Sequence, residues 1–276
     1  MKKMLLLVIV FVSLTGCAVW RTPSIARIAL LAPFEGRYRD IGYSAIYPAR
    51  LALKDGGLSH LELVAVDDGG TLQTAQDRAR ALLLDETIKA VMVLGYDSAD
   101  EAVQSVFGDM PIIIIGEWAS TPASDHIFML TNPQISTLLT DSTRIDITDA
   151  SAVDVPFIGG EVFALPSYPE LRQNLDEIQI ITSGALASPE FADRLIASDI
   201  YVPPPTHLSL LVYDATRLLG QVIPRPDITR EGVYQALRDV DYMGEGGRIA
   251  FDENGYWIDA PIYTYMYENG VLVAAD

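Results

Sequence analysis

Between Ile28 and Ile115 the chain alternates short apolar runs with segments whose apolar residues recur at helical spacing. Ile28–Ala32, Leu61–Val66, Ala90–Leu94 and Ile112–Ile115 are nearly continuous apolar stretches, as parallel strands covered on both faces require. Between them, Tyr43–Lys54 puts Ile46, Ala49 and Leu53 on one face, and Thr71–Leu84 does the same with Leu72, Ala75, Ala79, Leu82 and Leu83. Ser98–Val106 predicts a third, shorter helix. Strand and helix in alternation predict an α/β fold with a doubly wound parallel sheet.

Beyond Trp118 the pattern loosens. Thr131–Asp154 is rich in Asp, Ser and Thr, but its acids match no EF-hand spacing and no glycine marks the turn, so it reads as a solvated acidic linker. Val155–Ile158 and Ile178–Thr182 are short strand candidates, and Ser188-Pro189 has the form of an N-cap and first helical residue. Pro205–Val222 carries the strongest helical pattern, with Leu208, Leu211, Val212, Ala215, Leu218, Leu219 and Val222 on one stripe. A helix over Arg230–Arg238 follows. The end of the chain is β: Arg248–Phe251, a turn at Asp252–Gly255, alternation over Ile262–Tyr267, an Asn269-Gly270 hairpin signal and Val271–Val273.

The N-terminus has a different character. Lys2 and Lys3 precede an apolar run, Met4–Leu14, which as a helix reaches only about 16 Å, half of a bilayer's hydrocarbon core. It reads as the apolar region of a secretion signal. Leu14-Thr15-Gly16-Cys17 follows it and resembles the bacterial lipobox, and Cys17 is the single cysteine of the chain. That resemblance implies a signal peptide over 1–16, lipidation of Cys17 and a tether over 17–27, holding an exported domain to a membrane of the cell envelope. Two or more acyl chains anchor firmly where one does not.

Composition narrows the chemistry. With 19 Lys+Arg against 37 Asp+Glu the net charge is −18, which excludes nucleic acid as a partner because phosphates need a basic face. One cysteine excludes an internal disulfide framework. His60, His126 and His207 stand apart from one another at no metal-ligand spacing, and no nucleophile elbow, dinucleotide loop or phosphate loop is present. The chain is expected to catalyse nothing and to need no cofactor or metal. In an open α/β sheet ligands bind beyond the carboxyl ends of the strands, which directs attention to Pro33–Gly36, Asp67–Gly70, Gly95–Ser98 and Gly116–Pro122. Ser98 opens the third helix, where its hydroxyl suits a carboxylate; Ser98 and Glu101 also fit a capping box. Ser120 and Thr121 add donors from the next loop, or simply form a turn before Pro122.

Ile28–Gly36, Ile41-Gly42 and the helix reaching Ala49–Leu53 resemble the start of type I periplasmic-binding-protein domains, above all the branched-chain amino-acid-binding proteins of ABC importers. Val66–Thr71, Leu94-Gly95, Val155–Gly160, Tyr213–Leu219 and Gly247–Gly255 are similar to later parts of that family, in the right order. The resemblance implies two α/β lobes joined by a hinge, with an amino acid clamped between them and handed to ABC permease subunits. Its first lobe corresponds to 28–130 and 185–258, and its second to 131–184 and 259–276. The second lobe is reduced, because Pro133–Val155 is too short for the strand–helix–strand units that usually begin it. Carried over residue by residue, the ligand site falls on Ser98 (or Ala99, since the gap after Gly95 is one residue short), on Trp118-Ala119-Ser120 and on Glu161. In that scheme the Trp118 carbonyl and the Glu161 carboxylate meet the ammonium and Ser120 the carboxylate. Ile28–Tyr38 also resembles the activator lipoproteins of cell-wall synthases, which share the fold and bind a protein instead.

Overall fold

The computed structural model describes residues 25–119, 121–139, 157–171 and 178–275. The leader, Cys17, most of the tether, Ser120 and most of the acidic linker lie outside the described residues.

Five parallel strands form the larger sheet: β1 (Ala26–Ala32), β2 (Leu61–Asp67), β3 (Ile88–Val93), β4 (Ile112–Ile115) and β5 (Ile127–Leu130), in the order β2-β1-β3-β4-β5. The first four coincide with the apolar runs. β5 is an addition, four buried residues that a short apolar run cannot announce by periodicity. Every residue of β4 is isoleucine and every one is buried, because helices cover both faces. Among the described residues the helices are, in chain order, α1 (Arg39–Asp55), α2 (Leu72–Leu84), the short α3 (Glu101–Gln104), α4 (Ile135–Leu138) and α5 (Tyr168–Leu171), then α6 (Pro189–Ile196), α7 (His207–Val222) and α8 (Arg230–Arg238). α1 and α7 pack against each other, and α7 also touches β4.

Helix starts follow local capping chemistry. Thr71 accepts from the Thr74 N–H ahead of α2, and Ser188 accepts from Phe191 N–H with Pro189 as first helical residue. Thr206 and Ser209 form a capping box at α7, so that helix starts at His207, two residues later than Pro205. The third helix departs from expectation. It begins at Glu101, not Ser98, because the Asp100 carboxylate accepts from Ala102 N–H and does the capping itself. A 3₁₀ turn, Ser105–Phe107, completes it.

The smaller sheet has the order β11-β10-β7-β6, from β6 (Phe157–Gly159), β7 (Ile178–Thr182), β10 (Tyr263–Glu268) and β11 (Val271–Ala274). β6 and β7 are parallel, and the other pairs are antiparallel. Asn269 and Gly270 close the β10–β11 hairpin with φ of 52° and 78°, the pair of positive angles that a type I′ turn needs. The two-residue strands β8 (Tyr242–Met243) and β9 (Arg248–Ile249) form a separate ribbon. Chain segments pass between the two sheets after β5, after β7 and before β10, and they are tied side by side. Asn132 N–H donates to Ser183 Oγ at 2.8 Å, Ser183 Oγ donates to the Pro261 carbonyl at 2.9 Å, and the Asn132 side-chain amide donates to the Ala260 carbonyl. Among the described residues no helix is long and apolar enough to cross a membrane.

Candidate functional site

The strand order reverses at β1 and β3, so the loops leaving those strands diverge and leave a crevice between them. A cavity of about 430 Å³ occupies it, bounded by Pro33, Arg37 and Tyr38 after β1, by Asp68 after β2, and by Tyr96 and Asp97 after β3. On the other side of Tyr96, between the loops after β3 and β4, lies a second cavity of about 210 Å³. Tyr96, Glu117 and Trp118 wall it on the larger sheet's side, and Leu139 closes it from the segment that leads to the smaller sheet.

The loop after β4 is built rigidly. Trp118 Nε1–H donates to the carbonyl of Ile115, the last residue of its own strand, at 2.6 Å, and its ring meets Tyr96 edge-on with centroids 5.2 Å apart. A large ring that is buried and hydrogen-bonded at its one polar atom is a fixed wall. Glu117 is buried as well, and Thr131 Oγ1–H donates to its Oε2 at 3.2 Å. Its Oε1 accepts no hydrogen bond among the described residues. Burial and the neighbouring charge of Glu161, only partly offset by the Thr131 bond, push the Glu117 carboxyl up to about 8.

Of the residues carried over from the resemblance, Trp118, Ala119 and Ala99 line this cavity. Ser98 does not line it. The Ser98 hydroxyl is buried beneath and donates to Asp68 Oδ2 at 2.9 Å, while Asp68 Oδ1 accepts from Gly70 N–H at 2.8 Å. Burial nevertheless raises the Asp68 carboxyl above its ordinary value. Ser120 lies outside the described residues.

Glu161 stands behind the wall. It opens the 3₁₀ turn Glu161–Ala164 after β6, and it is fully buried. Its Oε1 accepts from the Glu117 backbone N–H at 3.1 Å, and Thr182 Oγ1, at the end of β7, lies 2.8 and 2.9 Å from its two oxygens. His207, the first residue of α7 and equally buried, brings Nε2 to 2.6 Å from Glu161 Oε2, at ion-pair distance but off the line of an aligned hydrogen bond. Gly184 makes room for this approach, since a Cβ there would stand 2.3 Å from the His207 carbonyl. Glu161 thus joins both sheets and α7, and its partners are protein groups.

Two participants escaped sequence reasoning. Glu117 had a usable signal, an acid directly after a fully apolar strand at the carboxyl edge of a parallel sheet. His207 had none, because its partner lies far away in sequence. Among the described residues no group of three or more His, Cys, Asp or Glu side chains is placed to hold a metal ion.

No protein-family model matches the chain, and no curated protein matches it. Solved structures do. The chain is similar to a leucine-binding protein from Thermotoga maritima, with TM-score 0.72 and 15% identity over 91% of this chain and 98% of that one. It is similar to a branched-chain amino-acid transporter substrate-binding protein from Streptococcus pneumoniae in complex with isoleucine, with TM-score 0.71 and 14% identity over 91% and 98%. An ABC-transporter substrate-binding protein from Desulfitobacterium hafniense in complex with leucine gives TM-score 0.69 and 15% identity over 91% and 99%. These neighbours are named as binding proteins and none of the three as an enzyme. A five-stranded parallel sheet flanked by helices, a second sheet and tied crossings between them give this chain the type I periplasmic-binding-protein fold, the fold of leucine-binding and branched-chain amino-acid-binding proteins of ABC transporters.

Proposed function

We propose that the chain is an extracytoplasmic solute-binding protein of an ABC importer, held to the membrane through a lipid on Cys17, that takes a small amino-acid-like solute between its lobes. It hands that solute to permease subunits and performs no chemistry on it. The observation that carries this reading is the cavity of about 210 Å³ beside the topological switch point, faced by the segment leading to the second sheet. Its size suits a single small molecule, and structural neighbours hold isoleucine and leucine.

In this reading Trp118 and Ala119 form the wall, with Ser120 offering its hydroxyl to the solute's polar end. Ser98 acts from beneath by fixing Asp68 and the loop above it. Glu161 acts through the Glu117 backbone N–H that it holds, and Glu117 is the acid that meets the solute.

Thermal denaturation of the purified chain with each free amino acid tests this. A solute at a hundredfold excess over its Kd stabilises by about 2.7 kcal/mol, which for a chain of this size is a shift of several degrees. The absence of a shift with every amino acid and amine tried overturns the reading, and favours a lipoprotein that kept the fold and binds a protein partner of the cell-wall-synthase type.

A further inference from the structure

The charge around the smaller cavity is one-sided. Among the described residues its wall carries three acids, Asp100, Glu101 and Glu117, two aromatic rings, Tyr96 and Trp118, and no basic side chain. Among the described residues the one cation lining either cavity is Arg37, which belongs to the larger cavity on the far side of Tyr96. Glu117 is the informative acid. Its side chain is almost fully buried, one oxygen accepts from Thr131, and the other accepts no hydrogen bond from the described residues. Glu117 lines the cavity, so a solute that brings a charged N–H group into it can donate to that oxygen in a charge-assisted hydrogen bond. The electron-rich faces of a tyrosine and a tryptophan beside it favour the same kind of group.

We propose that this cavity selects a solute with net positive charge, an aliphatic amine or a basic amino acid, seating its ammonium between the Glu117 carboxylate and the Tyr96–Trp118 rings. The inference rests on the solute-binding reading of the site and states which solutes it admits. A zwitterion such as leucine gains the same ammonium contact but brings its carboxylate among acids. A basic solute has a second positive group to set against Glu101 at the rim.

The groups facing Glu117 also make uptake sensitive to pH. Glu161 lies behind it with His207 beyond, Thr131 bonds its Oε2, the Tyr256 phenol senses its charge, and Asp100 and Glu101 stand across the cavity. In the empty site Glu117 keeps its proton up to about pH 8, so a cation entering at neutral pH displaces that proton. Affinity for a cation should therefore climb by up to about tenfold per pH unit from pH 6 to pH 8, with close to one proton released. Zwitterions of the same length share the contact but remain weaker throughout.

Isothermal titration calorimetry on the purified chain, with norleucine, lysine, pentylamine and glutamate as probes of similar length, decides the matter. Lysine or pentylamine should bind at least tenfold more tightly than norleucine, with glutamate weakest and with heats that depend on the buffer's ionisation. Glu117→Gln should lose most of that preference and the pH dependence, and Glu101→Gln, at the exposed rim, should lose two- to threefold. Norleucine binding as tightly as both cations overturns charge selection and leaves the solute-binding reading standing. A cation preference unchanged in Glu117→Gln overturns the assignment to Glu117. Failure of all four probes, together with no thermal stabilisation by any amino acid, removes the solute-binding reading and this inference with it.

Discussion

The two sheets are buried by different means, although their side chains join in one apolar cluster. In the larger sheet the work is spread over aliphatic side chains: β1, β3 and β4 are almost entirely buried, and no single residue dominates. The smaller sheet has less to work with, since β6 has three residues and β11 is largely an exposed edge. Rings fill it instead. Phe157 and Phe163 lie 5.0 Å apart edge-on, Phe163 and Tyr168 likewise, and Tyr168 leans on Tyr267 at 6.0 Å. The Tyr267 hydroxyl then donates to the Phe163 carbonyl at 2.7 Å. Each ring buries roughly 150–250 Å², so a few of them substitute for strands that are not there. The lesson is that stability is distributed around one sheet and concentrated around the other.

The sharpest way to break this contrast is Tyr168→Ala. Tyr168 is among the largest fully buried side chains, and its loss should cost about 3–5 kcal/mol in urea denaturation, against about 0.5–1.5 kcal/mol for Ile113→Val in the aliphatic sheet. A cost for Tyr168→Ala below that of Ile113→Val would show that the rings do not carry the small lobe. The junction comes next. Glu161→Gln replaces a carboxylate that Glu117 N–H and Thr182 share and that His207 approaches, and should cost about 1–3 kcal/mol, measured by the same denaturation. A neutral result there would mean that the two lobes are held by the tied crossings alone.

The smallest effect is seen between neighbouring pH values. The Glu117 carboxyl sits near 8 in the folded chain against an ordinary 4.5, so between those limits the folded state holds the proton more firmly than the unfolded one. Stability is therefore fullest below about pH 4.5 and declines as pH rises towards 8, by at most about 1.4 kcal/mol per pH unit from this group. Glu117→Gln should flatten that part of the profile, and a slope that survives the substitution would assign it to other groups.

Much of the larger sheet was readable because parallel strands covered on both faces must be continuously apolar, and Ile112–Ile115 matches β4 residue for residue. β5 escaped because four apolar residues without a repeating pattern look like any loop anchored in a core. The start of the third helix differs from the sequence expectation for a physical reason: the Ser98 hydroxyl is engaged by Asp68, thirty residues earlier, which leaves the capping to Asp100. The candidate site was readable as a place, through the strand-end rule, but not as a set of contacts. The bond from Glu117 N–H to Glu161 and the approach of His207 to Glu161 both join residues far apart in the chain. Local pattern carries no trace of such pairs until the sheets are assembled.

The strand order of the smaller sheet also dictates when it can exist. β10 lies in its interior, between β7 and β11, yet it follows β7 in the chain only after α6, α7 and α8. The larger sheet has all its strands once Leu130 has emerged, whereas β6 and β7 must wait through three further helices for their neighbour. During synthesis β7 therefore presents an unpaired edge for the whole of that interval, and removing only the β10–β11 hairpin should leave a protein whose larger sheet is formed and whose smaller sheet stays open to aggregation.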